Sequence, residues 1–417
     1  MSSKRPSFTS GLAWVILIFN CLCATPSGAA SSFKVLHSFG AGKDGNTPFA
    51  GVTIDDQRSL YGTASQGGGL GGCGGFGCGI VYQLTPNQNG TWTENVLHTF
   101  IQSEGGNPYS TIAIDSRGNL YGTNLYYGTG CGTVFQLVQR GGGTWTDNTL
   151  HSFTCGNDGF SSYGVVFDKT GHLYGTAYAG GIYNDGVVFS LSPENVFNWF
   201  EIVLHAFSGG NDGTSPSGNL IFDNNGSILG TTYEGGPHLT GTVFKLSRGG
   251  GANWTENILY TFKGQAFGGG TDGANPVAGV VMDAAGNLYG TTDYGGPAAV
   301  GTVFKLAPNG DGTYTESVLY AFKDGQDGGH PYGGVILDGN GNLYGTTQGH
   351  NNSFGTVYKL TPSSAGPWTE TILYQFQGGS DGAIPYGGLA MDGSGNLYGT
   401  TAFGGQDGGG VVFEVTP

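Results

Sequence analysis

The chain has 417 residues, of which 84 are glycine, about a fifth against a usual share of about 7%. Charged residues make up 10%, with 14 Lys and Arg against 29 Asp and Glu, a net charge of −15. No Gly-X-Y period is present, which excludes collagen; aromatics at 13% exclude a disordered chain; and the acidic balance excludes nucleic acid and anionic membrane surfaces as partners.

The chain opens on Lys4 and Arg5, an apolar run GLAWVILIF and a small-residue stretch SGAASS. That order is the pattern of a secretory leader. The run is short of the roughly 20 apolar residues that a span needs. Residues 1–30 are therefore expected to be a signal peptide cut near Ala30, leaving a secreted chain, extracellular or periplasmic, with no membrane span. Its charge becomes 12 − 29 = −17, since the leader holds Lys4 and Arg5 and no acid. Four cysteines remain, Cys73, Cys78, Cys131 and Cys155. Their spacing lacks the His pair of a zinc site, and an even number in an exported chain predicts disulfides. The pairings Cys73–Cys78 and Cys131–Cys155 are expected, each within one loop or between neighbouring loops.

From residue 33 a phrase of the type GNLYGTT recurs. Its tyrosine, or the residue in its place, falls at Tyr61, Tyr121, Tyr174, Leu229, Tyr289, Tyr344 and Tyr398. The steps of 60, 53, 55, 60, 55 and 54 residues mark a tandem array. Each period holds four strand-like runs. In the sixth copy these are PYGGVILD, NLYGTT after a GNG turn, FGTVYKLTP and WTETILYQF, with no helical periodicity. Four antiparallel strands repeated seven times predict an all-β, seven-bladed β-propeller over residues 31–417, with the glycine-rich strand innermost. The chain begins this domain with an outermost-type strand, FKVLHSF, and ends with a third-type strand, GGVVFEVTP. The first strand is therefore expected to complete the last blade and close the ring. The repeated phrase itself reads as structural: a hairpin turn, Leu and Tyr packed between blades, and a small Gly-Thr end.

The motifs D-x-x-G-N-L-Y-G-T-T, G-T-V-F-K-L and W-T-E-x-x-L-Y-x-F resemble the repeats of the GloVer tandem-repeat family, the "choice-of-anchor" bacterial proteins, over nearly the whole chain after residue 30. The resemblance implies this repeat fold and export, and no particular activity.

The search for chemistry returns few candidates. Innermost strands carry no charge before their final aspartates, Asp55, Asp115, Asp168, Asp223, Asp283, Asp338 and Asp392, which are expected to cap turn N–H groups. An uncharged channel wall argues against catalysis there. His37, His98, His151 and His205 share the L-H-x-F slot with Tyr260, Tyr320 and Tyr374, and read as packing residues; His238, His330 and His350 lie in scattered loops. No catalytic residue is expected. The loops joining each outermost strand to the next innermost one carry a matching acid, namely Asp44, Glu104, Asp158, Asp212, Asp272, Asp327 and Asp381. At the channel rim follow Phe49, Tyr109, Ser162, Ser217, Val277, Tyr332 and Tyr386. The acids suit turns. Together with the aromatics they also form a candidate ligand-binding face for a carbohydrate or a protein. Calcium is the one cation that this pattern leaves open, and one carboxylate per loop is thin for the roughly six to eight oxygens it wants. No cofactor and a monomer are expected. The reading favours a non-enzymatic binding protein. A propeller hydrolase, lactonase or lyase, and a structural envelope component, are the alternatives.

Overall fold

A computed structural model describes residues 31–417 apart from 41, 70–71, 195–197, 251–252, 265–269, 352 and 364–366. The expected leader lies outside the described residues. The chain forms seven antiparallel four-stranded blades around an axis, and among the described residues there is no α-helix. In blade 1 the strands run outward as Thr53–Ile54, Leu60–Ala64, Ile80–Pro86 and Trp92–Thr99. The outer strands of blades 2 to 6 are Trp145–Ser152, Trp199–Ala206, Trp254–Thr261, Tyr314–Ala321 and Thr369–Gln375. Blade 7 takes its outer strand, Ser32–Ser38, from the start of the domain, paired antiparallel with Val411–Thr416. The ring is closed as the order of strand types predicts.

The core is divided into seven packets, one at each seam between blades. Each packet joins the second-strand tyrosine or leucine and the third-strand valine of one blade to the apolar face of the next, so a single blade has no core of its own. The repeated phrase is explained position by position. Its glycine faces the aromatic ring of the third strand: a Cβ on Gly290 would stand 2.6 Å from the Phe304 ring, and one on Gly399 at the same distance from Phe413. Its first threonine ties neighbouring blades together. Thr123 donates to Ser162 O at 2.8 Å, Thr231 to Ala278 O at 3.0 Å and Thr400 to Ala50 O at 2.7 Å, each bond crossing to the next blade.

The expected aspartate caps are present. Asp283 Oδ1 accepts from Ala285 N and Asn287 N at 2.9 Å, and its Oδ2 accepts from Asn287 Nδ2 and the Tyr289 hydroxyl. Tyr289 is thus both buried and bonded to the hairpin. In blade 4, where Leu229 replaces the tyrosine, Lys245 Nζ reaches Asp223 at 2.7 Å in the hydroxyl's place. Near the axis the inner strands touch backbone to backbone. A Cβ on Gly279 would stand 2.0 Å from Asn219 O, and one on Gly51 2.3 Å from Gly388 O. No other residue type fits such an approach without displacing the neighbouring blade. Both disulfides form as expected, Cys73–Cys78 with Cα atoms 5.2 Å apart and Cys131–Cys155 at 5.4 Å.

Candidate functional site at the axial mouth

Each outer strand is linked to the next inner strand by a loop that ends on a residue in the left-handed region, followed in six of the seven blades by proline. These residues are Thr47, Asn107, Ser161, Ser215, Asn275, His330 and Ile384, with φ between 56° and 59°. The conformation is costly for β-branched Thr47 and Ile384. It aims the backbone N–H at a carbonyl of the preceding blade: Thr47 donates to Gly409, His330 to Val300 and Ile384 to Phe354, at 2.7–2.9 Å. The ring of strained residues fixes the loops of one face, and two positions later the chain reaches the channel rim.

The rim is asymmetric. Tyr332, Tyr386, Phe49, Tyr109 and Tyr163 form a continuous arc from blade 6 through blade 7 to blade 3. Their neighbouring centroids lie 5.1, 5.1, 4.8 and 5.7 Å apart, and Phe49 stacks on Tyr109. Tyr178 extends the arc from Tyr163 at 5.8 Å. Blades 4 and 5 carry Ser217 and Val277 instead, both buried. Ser162 is buried as well and takes the proline's position, so Tyr163 supplies the rim side chain of blade 3. Inside the arc is a cavity of about 430 Å³ to which all seven blades contribute, from Phe49 to Leu389. Among the described residues that line it none is charged, as expected of the channel wall. Burial raises the hydroxyl pKa values of Tyr109, Tyr332 and Tyr386 and takes that of Tyr163 to about 12. These groups are neutral hydrogen-bonding hydroxyls throughout the physiological range.

Beyond the gap over blades 4 and 5 stands a pair that repeat logic could not expose. His330 Nδ1 meets Asp293 Oδ1 at 2.9 Å, with Asp293 only 6% exposed. This bond raises the His330 pKa. The Asp293 carboxylate also pushes up the hydroxyl pKa values of Tyr233, Tyr294, Tyr332 and Tyr386, after burial itself. The His350 ring lies 5.4 Å from His330, with its own Nδ1 2.9 Å from Asp324. Asp293 and His330 come from different blades, 37 residues apart, and among the described residues the pairing occurs at one seam.

The seven loop acids are placed differently from the rim aromatics. Each turns back toward the outer strand that precedes it and caps its own loop. Asp44 meets His37 Nε2 at 2.9 Å and accepts from Gly40 N; Asp212 accepts from Ser208 N at 2.9 Å; Asp272, Asp327 and Asp381 accept from Tyr260, Tyr320 and Tyr374 at 2.8–2.9 Å. Glu104 and Asp158 meet His98 and His151 at 3.1 and 3.3 Å. A bulge in every outer strand, at the leucine before the His or Tyr, re-aims that side chain toward the acid. The His/Tyr slot therefore selects a donor as well as a packing group.

The fold and this face define a seven-bladed repeat propeller whose axial mouth is rimmed on one side by aromatic rings. The chain matches the Gloeobacter/Verrucomicrobia repeat over residues 24–221 and 200–413 and belongs to that family. No curated protein matches it. Among solved structures it is similar to the extracellular domain of a protein assigned as a one-component system from B. thetaiotaomicron, at 10% identity over 91% of this chain, with a TM-score of 0.54. The chain spans 40% of the length of that structure. It is also similar to a fungal alcohol oxidase of the AA5 family in complex with copper, at 13% identity over 93% of this chain and 77% of that one, with a TM-score of 0.55. At these identities the likeness is one of fold. Among the described residues no helix is long and apolar enough to cross a membrane.

Proposed function

We propose that the protein is an exported, non-enzymatic propeller that takes a segment of polysaccharide at its axial mouth. The observation that carries this reading is the unbroken arc of partly exposed rings from Tyr332 to Tyr163 around an uncharged cavity. Sugar rings present C–H faces that stack on aromatic rings, and their hydroxyls pair with neutral phenols and backbone groups at a rim. The loop acids serve the seams, and ligand contact falls to Phe49, Tyr109, Tyr163, Tyr332 and Tyr386. A cut near Ala30 would leave the closing strand, Ser32–Ser38, whole, which agrees with export of the folded ring.

A glycan array followed by calorimetry with the selected glycan tests this. Each ring contributes roughly 1 kcal/mol or more, so Tyr332→Ala together with Tyr386→Ala is expected to weaken binding by on the order of 30-fold or more. Phe200→Ala, on an exposed outer-strand side chain, leaves binding unchanged. Equal binding by the rim double variant and the parent excludes the mouth. A second reading, a hydrolase or lyase, is favoured by Asp293 and His330, a buried carboxylate orienting an imidazole beside the rim. It requires turnover that His330→Ala abolishes while binding persists.

A further inference from the structure

The loop acids do not act alone at the seams. Four residues before each His or Tyr of blades 1 to 6 stands an acid of the outer strand, Glu94, Asp147, Glu201, Glu256, Glu316 or Glu370. Each carries one carboxylate oxygen that is fully buried and hydrogen-bonded to no other group. It faces the loop acid and the His or Tyr of the preceding blade, so that the three groups meet across the seam. His37, Asp44 and Glu94 place one ligand atom each within 4.8 Å of the others; so do His98, Glu104 and Asp147, and His205, Asp212 and Glu256.

The seam between blades 3 and 4 differs from the rest. At the other histidine seams the imidazole Nε2 lies 2.9–3.3 Å from the loop acid, a hydrogen bond. His205 Nε2 lies 3.6 Å from Asp212 Oδ2 and 3.5 Å from Glu256 Oε1, too far for either. Both His205 Nε2 and Glu256 Oε1 are buried without a hydrogen-bond partner. Imidazole nitrogen and carboxylate oxygen bind a tetrahedral cation at about 2.0–2.2 Å, which places two such ligand atoms roughly 3.3–3.6 Å apart. The observed separations fall in that range. Asp212 is further oriented by Ser208, whose N donates to Oδ2 at 2.9 Å and whose hydroxyl donates to Oδ1 at 2.7 Å, the kind of outer-shell support that metal ligands have. The three side chains are 21%, 18% and 13% exposed, which leaves a path for an ion and its water.

We propose that the seam between blades 3 and 4 binds one divalent first-row transition-metal cation through His205 Nε2, Asp212 Oδ2 and Glu256 Oε1. One imidazole and two carboxylates suit zinc, cobalt or manganese, and a water completes the shell. His205 and Asp212 come from the outer strand of blade 3 and the loop that follows it, and Glu256 from the outer strand of blade 4, so the ion joins blade 3 to blade 4. At the other histidine seams the imidazole and the loop acid are already joined by a hydrogen bond, and those seams are not part of this site.

Cobalt(II) titration of the untagged, chelator-treated protein tests it, read by the visible absorption of bound cobalt and by displacement with zinc. One equivalent is expected, with a rise in the thermal midpoint on metal addition. His205→Tyr installs the residue that the same slot holds at Tyr260 and Tyr320, so the fold is kept; it is expected to abolish the absorption and the midpoint rise, as is Glu256→Gln. His151→Tyr, one seam away, is expected to keep both. Absence of the cobalt spectrum in the parent protein, or its persistence in folded His205→Tyr, overturns the proposal.

Discussion

Deleting residues 31–40 is expected to leave a chain that no longer unfolds cooperatively. The strand Ser32–Ser38 is the fourth strand of blade 7, registered against Val411–Thr416 from Ser32↔Thr416 to Ser38↔Val411. Without it the edge of Val411, Val412, Phe413 and Val415, all fully buried, faces water. An apolar edge of that kind invites pairing with other chains. The strand also fills both neighbouring seams. Phe33 stacks on Tyr374 of blade 6 at 3.7 Å, and Phe39, fully buried, meets Tyr82 of blade 1 edge-on at 5.0 Å. Phe33 stands where the other blades carry the seam acid, so the closing seam is apolar on that side. Buried Leu36 and Phe39 are worth roughly 1.5–3 kcal/mol each, and partly buried Phe33 and Val35 add a smaller share. Their sum is comparable with the roughly 5–15 kcal/mol that stabilises a whole domain. Calorimetry of the truncated domain should show a broad or absent transition and aggregation, and a synthetic peptide of residues 31–40 added in trans should restore the sharp one. An unchanged midpoint in the truncated domain would show that the ring does not depend on its closing strand.

The architecture was legible in the sequence because it is written seven times in local signals. The hairpin aspartate, the GNLYGTT phrase and the order of strand types each specify a neighbour within one blade, and the closing strand follows from the first and last types. Pairing across seams was harder to read. The loop acids stand next to the rim in sequence, which made them look like part of it. Their carboxylates instead follow a donor six to twelve residues back, brought round by a bulge at a leucine that reads as an ordinary strand position. A signal was present: His and Tyr share the slot, and what they share is a hydrogen-bond donor. In blade 3 the proline before the rim is replaced by Ser162, and that loss of a landmark hid Tyr163 by one residue. Asp293 and His330 were invisible for the opposite reason, since they meet at a single seam and no repeat announces them.

The seam carboxyls make the second large prediction, a protein more stable in mild acid than in mild base. At the seam of blades 5 and 6 the Tyr320 hydroxyl lies 2.9 Å from Asp327 Oδ2 and 2.7 Å from Glu370 Oε2. A phenol has one proton to donate, so both bonds exist together only when one of the two carboxyls carries a proton of its own. Burial and the neighbouring acid push the pKa up to about 7 at Glu94, Asp147, Glu201, Glu316 and Glu370 and to about 8 at Glu256. The Glu370 shift is opposed by its bond to Tyr320, and the Glu316 shift by Lys263. In the unfolded chain these groups titrate near 4, so between about pH 4 and 8 the folded state holds more protons and stability falls as pH rises. Three histidines oppose this. Burial lowers the pKa values of His98, His151 and His205, and their contribution is lost as pH falls from 6.5. His330, raised by Asp293, acts with the acids. The hairpin aspartates Asp168, Asp223, Asp283, Asp338 and Asp392 are lowered and matter only below their ordinary value of 3.8. Six carboxyls against three imidazoles leave the acid side favoured. After discounting for solvent screening, each carboxyl is worth roughly 0.5–1 kcal/mol, and the midpoint at pH 5 should exceed that at pH 8 by on the order of 5 °C. Scanning calorimetry with a chelator present, so that no cation competes with the proton, measures it directly. Glu316→Gln and Glu370→Gln are expected to raise the midpoint at pH 8 and flatten the slope, because an amide holds the same shape without a charge to bury. A midpoint that climbs toward pH 8 would mean that the seam acids are ionised and already neutralised by some other partner.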